Sequence, residues 1–363
     1  MIKCFVSGYW KSNLGDDLFL KIVCERYPHV KFYTFLDKKN SEQFKQYNNL
    51  TIIYNNFLFR IVNKLMRKMG MLQLQDILGP LLAKNFLEIG GSIFMQDKRW
   101  QYRLKQRNYA RNQYSKYFII GSNFGPFYDQ EYEEKYKELF DSVDGISFRD
   151  SYSYNLFAEK NMTKASDVIF GLSTSEYKRQ NKKKQVVISV VDNDSKNKDT
   201  SFNLQDKYES KIITTINKLT QEGYDVILMS FCKYEGDTDV INRIYSRLGN
   251  NNHVKTFEYF HDIESALKLI ADSEKVIASR FHACVLGLLF GCKVLPIAYS
   301  DKMMNLIQDI YKEKKWLSIK EFVNSDINSE NFIYLSENAA KLIGRDAENQ
   351  FQFLDGFMKQ IDF

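Results

Sequence analysis

The sequence predicts an α/β protein of two Rossmann-like domains, each with a mainly parallel sheet, facing each other across a central cleft. Three observations lead there. Short apolar runs of strand length alternate with longer segments of helical period, the pattern of strand–helix–strand crossovers. The alternation runs twice, and a polar, lysine-rich stretch, Ser175–Lys184 (SEYKRQNKKK), stands between the two series. The chain has 363 residues, too many for one comfortable core and suited to two. The expected boundaries are an N-terminal domain over 1–174, a linker over 175–184, a C-terminal domain over 185–335 and a helical segment over 336–363.

In the first series the strands are Ile2–Gly8, Val30–Phe35, Thr51–Tyr54, Asn85–Ile89, Tyr117–Gly121, Gly145–Phe148 and Asp167–Phe170. Helical patterns lie between most of them, notably Asp16–Arg26 and Tyr132–Phe140. In the second series strands Val186–Val191, Asp225–Ser230, Val254–Tyr259 and Lys275–Ala278 alternate with helices near Gln205–Glu222, Asp239–Leu248 and Ile263–Ala271. Asn338–Ile361 reads as a closing helix with an interruption near Gly344. Ligands of open parallel sheets gather at the carboxyl ends of the strands, so the cleft between two such sheets is the expected active site.

Net charge is +6, a mild basic bias that suits an anionic substrate or an acidic membrane surface and falls short of a dedicated nucleic-acid binder. Five cysteines stand singly and most lie in apolar runs, which predicts buried free thiols and a reducing compartment. No His/Cys cluster has zinc-ligand spacing, and no apolar run is long enough for a signal peptide or a membrane span. A cytoplasmic protein is expected.

The stretch Ile277–Lys302 carries the sharpest chemistry. After the strand ending at Ala278, Ser279 is the expected N-cap of a helix, His282–Phe290, apolar on nearly every side and therefore buried. Arg280 and His282 then lie at the strand end and the helix's first turn, where the dipole favours an anion. The following strand, Val294–Ala298, runs parallel to the first and delivers Lys302 beside them. Arginine suits bidentate oxyanion contact and lysine acts as a point charge, so the trio fits a phosphate or phospho-carboxylate. A surface ion pair is the plain alternative for each, and Asp301 could take Lys302.

These residues resemble the C-terminal signature of the polysaccharide pyruvyl transferase family: Ser279-Arg280-Phe281-His282, an apolar helix, Gly291–Ile297, then Asp301-Lys302. Other segments resemble that family in the same order. They are Asn13-Leu14-Gly15-Asp16-Asp17, Gly90-Gly91-Ser92, Gly121–Pro126, Ser147–Ser151, and Ser230-Phe231 with Asp237 and Asp239. Lys293 departs from the pattern, where a proline is common. The last sixty or so residues carry no recognised motif. The architecture expected is GT-B-like.

The resemblance implies transfer of a pyruvyl unit from phosphoenolpyruvate to two hydroxyls of a cell-surface polysaccharide sugar or its lipid-linked precursor, giving a cyclic ketal and phosphate. No cofactor or metal is expected, since phosphoenolpyruvate is itself the donor. Arg149, Arg280, His282 and Lys302 would bind that donor. His282 can titrate near neutrality and is the expected acid. Asp16 and Asp17 are the base or sugar-binding candidates. Asn13, Asp16, Gly90 and Gly91 would meet the acceptor. Capping and dipole roles for Asp16 and Asp17, a tight turn for the glycines, and pairing of Arg149 with Asp150 or Asp144 are the structural alternatives. Two other functions fit the same plan: a glycosyltransferase using a nucleotide sugar, or a carbohydrate-binding relative without catalysis.

Two basic segments complete the reading. Phe57–Leu72 has apolar residues at 58, 61, 62, 65, 69 and 72 with Arg60, Lys64, Arg67 and Lys68 opposite, an amphipathic helix that faces either the core or the inner face of an anionic membrane. Lys98–Lys116 interleaves basic and aromatic residues without an acid. A solvated face or a sugar-diphosphate cradle is expected there, and no nucleic acid.

Overall fold

The computed structural model describes residues 2–177, 182–192 and 203–359. By packing, the chain divides into one unit of Met1–Trp10, Asp16–Val168 and Arg345–Phe363, and a second of Lys11–Gly15 and Ile169–Gly344. Part of the expected linker, residues 178–181, lies outside the described residues, as do the last two residues of the expected closing helix.

The first unit runs β1 (Lys3–Ser7), α1 (Leu14–Arg26), β2 (Lys31–Leu36), β3 (Leu50–Tyr54), α2 (Phe57–Lys68), α3 (Leu74–Leu82), β4 (Asn85–Ile89), α4 (Trp100–Gln113), β5 (Lys116–Ser122), α5 (Gln130–Ser142), β6 (Gly145–Phe148), α6 (Ser151–Phe157) and β7 (Met162–Lys164). The sheet is parallel throughout, in the order β3-β2-β1-β4-β5-β6-β7. Central strands such as β5 are buried on both faces, so they read as continuous apolar runs and not as alternating ones. An aromatic core of Phe86, Phe94, Tyr117, Phe124, Tyr136 and Phe140 packs against the sheet.

The second unit runs β8 (Lys183–Ser189), α7 (Asn203–Gln221), β9 (Asp225–Ser230), α8 (Asp237–Leu248), β10 (Val254–Glu258), α9 (Ile263–Asp272), β11 (Ser273–Ala278), α10 (Phe281–Leu289), β12 (Lys293–Ala298), α11 (Asp301–Tyr311), β13 (Leu317–Ser318), α12 (Ile319–Asn324) and α13 (Glu337–Ala347). Its sheet is also parallel, ordered β10-β9-β8-β11-β12-β13. Aliphatic side chains dominate this core, among them Val186, Ile188, Ile212, Ile216, Leu228 and Ile277. Each sheet reverses strand order once, at β1/β4 and at β8/β11, and a crevice at the carboxyl ends is expected at both points.

Three expectations are corrected. Asp167–Phe170 is no strand: Val168–Gly171 is a single 3₁₀ turn, and the partner of β6 is Met162–Lys164. A short, wholly buried apolar run does not reveal its own backbone conformation. The closing helix breaks at a 3₁₀ turn over Glu348–Phe351 and resumes as α14 (Gln352–Lys359), while Gly344 sits inside α13. That turn buries Gln350, whose amide donates to the carbonyls of Phe148, Ala165 and Ser166. Gly344 serves close packing instead, since an added Cβ would come within 3.0 Å of the Phe170 carbonyl oxygen. Finally, the N-cap of α10 is Arg280 and not Ser279. The Ser279 hydroxyl is 2.7 Å from the Tyr208 hydroxyl, engaged below the helix and not at its end.

The five cysteines are free and buried, as expected. Burial pushes the Cys24 and Cys232 thiols up to about 12, which keeps them unreactive.

Candidate active site

Arg280 follows β11 at the strand-order reversal of the second unit. The Ser189 hydroxyl, at the end of β8, accepts from the backbone N–H groups of Ser279 and Arg280, both at 3.1 Å, and so pins the two strand ends together. The buried Arg280 guanidinium reaches two carboxylates, Glu235 through Nη1 and Asp237 through Nη2. Both come from the loop after β9. Glu235 ends a 3₁₀ turn, Gly236 takes φ +87°, and Asp237 opens α8. Asp237 Oδ2 also accepts from the N–H groups of Phe231 (2.9 Å) and Cys232 (3.0 Å). Burial alone would drive the guanidinium toward neutrality, but Asp237 and Glu235 outweigh it and hold Arg280 well above its usual range. Burial pushes the Asp237 carboxyl up, with Arg280 and the two N–H groups opposing.

Asn13 joins the same cluster. Its side-chain amide donates to Glu235 Oε1 (3.3 Å), and its carbonyl oxygen accepts from the Gly15 N–H (3.1 Å). The backbone is stitched alongside by Leu14 N–H to the Phe231 carbonyl at 3.1 Å. His282 lies over Gly15: a Cβ built there would fall 1.6 Å from His282 Nδ1. No side chain larger than hydrogen leaves room for that imidazole. The Phe281 ring is edge-on to His282, with centroids 5.1 Å apart. Lys302 Nζ lies 6.0 Å from the Phe281 ring and 5.5 Å from the Tyr299 ring. Because Ala278 is registered with Pro296 across β11/β12, both strands finish at the carboxyl end of the sheet, with Arg280 and His282 following one and Lys302 the other.

The first unit has its own cluster. Arg149, directly after β6, is buried. Its Nη1 pairs with Asp167 (3.0 Å) and its Nη2 donates to Asn123 Oδ1 (2.6 Å). Gly91, beyond β4, lies under the guanidinium, where a Cβ would come within 2.3 Å of Nη1. Asp150 caps α6 by accepting from Ser153 N–H, and Asp144 pairs with Lys116. Gly90 has φ +143°, a conformation that favours glycine, and Asp16 Oδ1 sits 3.6 Å from where its Cβ would be. Asp17 is fully buried in α1, accepting from Gln43 Nε2 at 2.9 Å. Asp16 and Asp17 are both helical, so the capping alternative passes to Asn13.

Thus Asn13, Arg280 and His282 share one cluster with Lys302 at its edge, while Arg149 with Gly91 and Asp16 with Gly90 form pairs in the first unit. Glu235, Asn123 and Asp167 were missing from the sequence-derived set. An arginine fixed within apolar sequence needs carboxylates, which signals that partners such as Glu235 and Asp167 exist without saying where they lie. Of the basic residues in Lys98–Lys116, Arg107 turns inward and binds Glu88 through Nε and Nη2.

Two parallel-sheet units, each with signature side chains at strand ends, define a two-domain Rossmann-like protein of the GT-B-like class. The chain belongs to the polysaccharide pyruvyl transferase family, whose sequence pattern matches residues 13–301. It is 22% identical over 250 residues to the amylovoran biosynthesis protein AmsJ of Erwinia amylovora, a match covering 62% of this chain and 59% of AmsJ. The chain therefore spans less than two thirds of that relative. Among solved structures, Anabaena Alr3699/HepE in complex with UDP and glucose is similar at TM-score 0.54 and 12% identity, covering 99% of this chain and 100% of that one. UDP-GlcNAc 2-epimerase from Neisseria meningitidis bound to UDP-GlcNAc is similar at TM-score 0.56 and 11% identity, covering 95% and 99%. At these identities the structures speak for the fold.

Proposed function

We propose that the protein transfers the pyruvyl group of phosphoenolpyruvate to two hydroxyls of a polysaccharide sugar or its precursor. The supporting observation is that three family-like segments far apart in sequence, Asn13–Asp17 (through Asn13 and Gly15), Ser230-Phe231 with Asp237, and Ser279–His282, meet at the strand-order reversal of the second unit, with Glu235 between them.

In this reading the donor anion lies against Lys302, His282 and the first turns of α10 and α11, whose dipoles favour negative charge. Glu235 holds Arg280 until the donor carboxylate exchanges with it. Asp237, fully buried, keeps the guanidinium aimed. His282 gives a proton to the donor's methylene carbon, making it a methyl group and leaving an oxocarbenium-like centre at C2. A sugar hydroxyl adds at C2 and loses its proton. The C2–O bond to phosphate then breaks, with the departing charge met by Lys302. A second hydroxyl adds to C2 and loses its proton, closing the ketal. Two protons leave the hydroxyls, one replaces that spent on the methylene carbon, and one leaves with phosphate. Asp16, less buried than Asp17, is the base candidate, and Asn13, Gly90 and Gly91 the acceptor-side candidates. Arg149 is proposed for the donor once Asp167 shares it.

The test is phosphate release from phosphoenolpyruvate that depends on an acceptor glycan, with nucleotide sugars offered in parallel. Release only with phosphoenolpyruvate supports the reading. Turnover of a nucleotide sugar instead replaces it with glycosyl transfer.

A further inference from the structure

We propose that the outer face of α2 and α3 is a docking surface for an anionic phospholipid bilayer. α2 has no buried residue. Its apolar side chains point out: Phe57 is 69% exposed, Leu58 70%, Leu65 55% and Met69 64%, with Ile61 and Val62 beside them. A helix that served only the core would bury this stripe. Instead α2 is fastened to its unit by other positions. The Phe59 ring stacks on Phe35 at 5.3 Å, and the Asn63 amide donates to Gln75 (2.7 Å) and accepts from Leu74 N–H (2.7 Å). The exposed stripe is thus presented on a fixed support, and α3 adds Ile77, Leu78 and Leu81, the last 79% exposed.

Charge selects the occupant. Arg60, Lys64, Arg67 and Lys68 form a basic face on the same helix as the apolar one, and no acidic residue occurs from Gln43 to Gln75. Apolar side chains with basic neighbours and no acid are the pattern of a helix lying in a lipid headgroup layer. A second copy of this chain fits worse, because two-fold pairing would set each basic stripe close to its own image with no acid to answer it. A cavity of about 290 Å³ lies beside the same hairpin: α3 gives it Gln75 and Asp76, the residue after β3 gives Asn55, and α4 gives Gln106 and Tyr109 with Arg103 and Arg107. Amides, a carboxylate and an aromatic ring suit a saccharide. The docked face accordingly serves a membrane-anchored saccharide acceptor, a step that rests on the function proposed above.

The experiment is co-sedimentation of the full chain with vesicles of phosphatidylcholine alone or with added phosphatidylglycerol, at low and raised salt. The chain binds the anionic vesicles and is released by salt. Lys64→Gln/Arg67→Gln lowers partitioning roughly thirtyfold, at about 1 kcal/mol for each basic group. Leu58→Glu/Leu65→Glu lowers it at least roughly tenfold. All four side chains are exposed, so unchanged melting confirms that the variants fold. Three results overturn the proposal: no binding of the parent chain to anionic vesicles, equal binding by both variants, or a parent dimer in solution that Leu58→Glu/Leu65→Glu splits. Sedimentation needs no turnover, so vesicle binding by a chain that releases no phosphate from phosphoenolpyruvate upholds the docking and removes only the function.

Discussion

The two units solve one problem differently. Each buries an arginine just past a strand, Arg149 after β6 and Arg280 after β11. Arg149 pairs with the Asp167 carboxylate and donates to the neutral amide of Asn123. Arg280 is answered by two carboxylates, Glu235 and Asp237. The named partners of Arg280 thus include one carboxylate more than those of Arg149. A buried charge needs compensation, and a second carboxylate on Arg280 is what the exchange proposed above, of a protein carboxylate for one on the donor, would use. Glycine makes room in both clusters, with Gly91 under Arg149 and Gly15 under His282.

The largest expected effect is on rate. His282→Ala lowers turnover by about 10²–10⁴-fold, the usual worth of a positioned acid, with melting unchanged. Near-normal turnover would remove His282 from the chemistry. Stability comes next. Arg280→Ala strands two carboxylates and costs about 3–5 kcal/mol in urea unfolding, and Arg149→Ala falls at the lower end of that range. If Arg149→Ala proved the more damaging, the charge comparison between the units would be wrong. Adding Asp237→Asn to Arg280→Ala recovers part of the loss, because the stranded charge goes with it.

Gly15→Ala should act through its neighbour. The methyl group displaces the imidazole, so turnover drops toward the His282→Ala level. In a His282→Ala background the same change has little further effect on rate. An additive second loss would mean that Gly15 matters for something other than seating the histidine.

Much of this was legible from sequence, for identifiable reasons. Strands such as β9, β4 and β6 lie within the expected bounds because a strand buried on both faces is a run of apolar residues closed by turn residues. The corner of Arg280, His282 and Lys302 followed from parallel neighbours with a helix between them. Partners were harder to read. Glu235 lies more than forty residues from Arg280 and nothing local announces it, while Asp237 stood in a family-like segment with no sign of its partner. Asp167–Phe170 misled because a short stretch buried at every position has no period. For α2, periodicity identified a helix but not its surroundings: a stripe facing the core and a stripe left exposed have the same spacing, and only exposures such as those of Leu58 and Leu65 separate them.

The most direct measurement is calorimetric titration of phosphoenolpyruvate into the parent chain, Lys302→Ala and Glu235→Gln. The account predicts saturable binding to the parent, weaker binding to Lys302→Ala by about five- to tenfold, and tighter binding to Glu235→Gln, since the competing carboxylate is gone. Phosphoenolpyruvate that binds all three alike, or none, would contradict the placement of the donor at this corner.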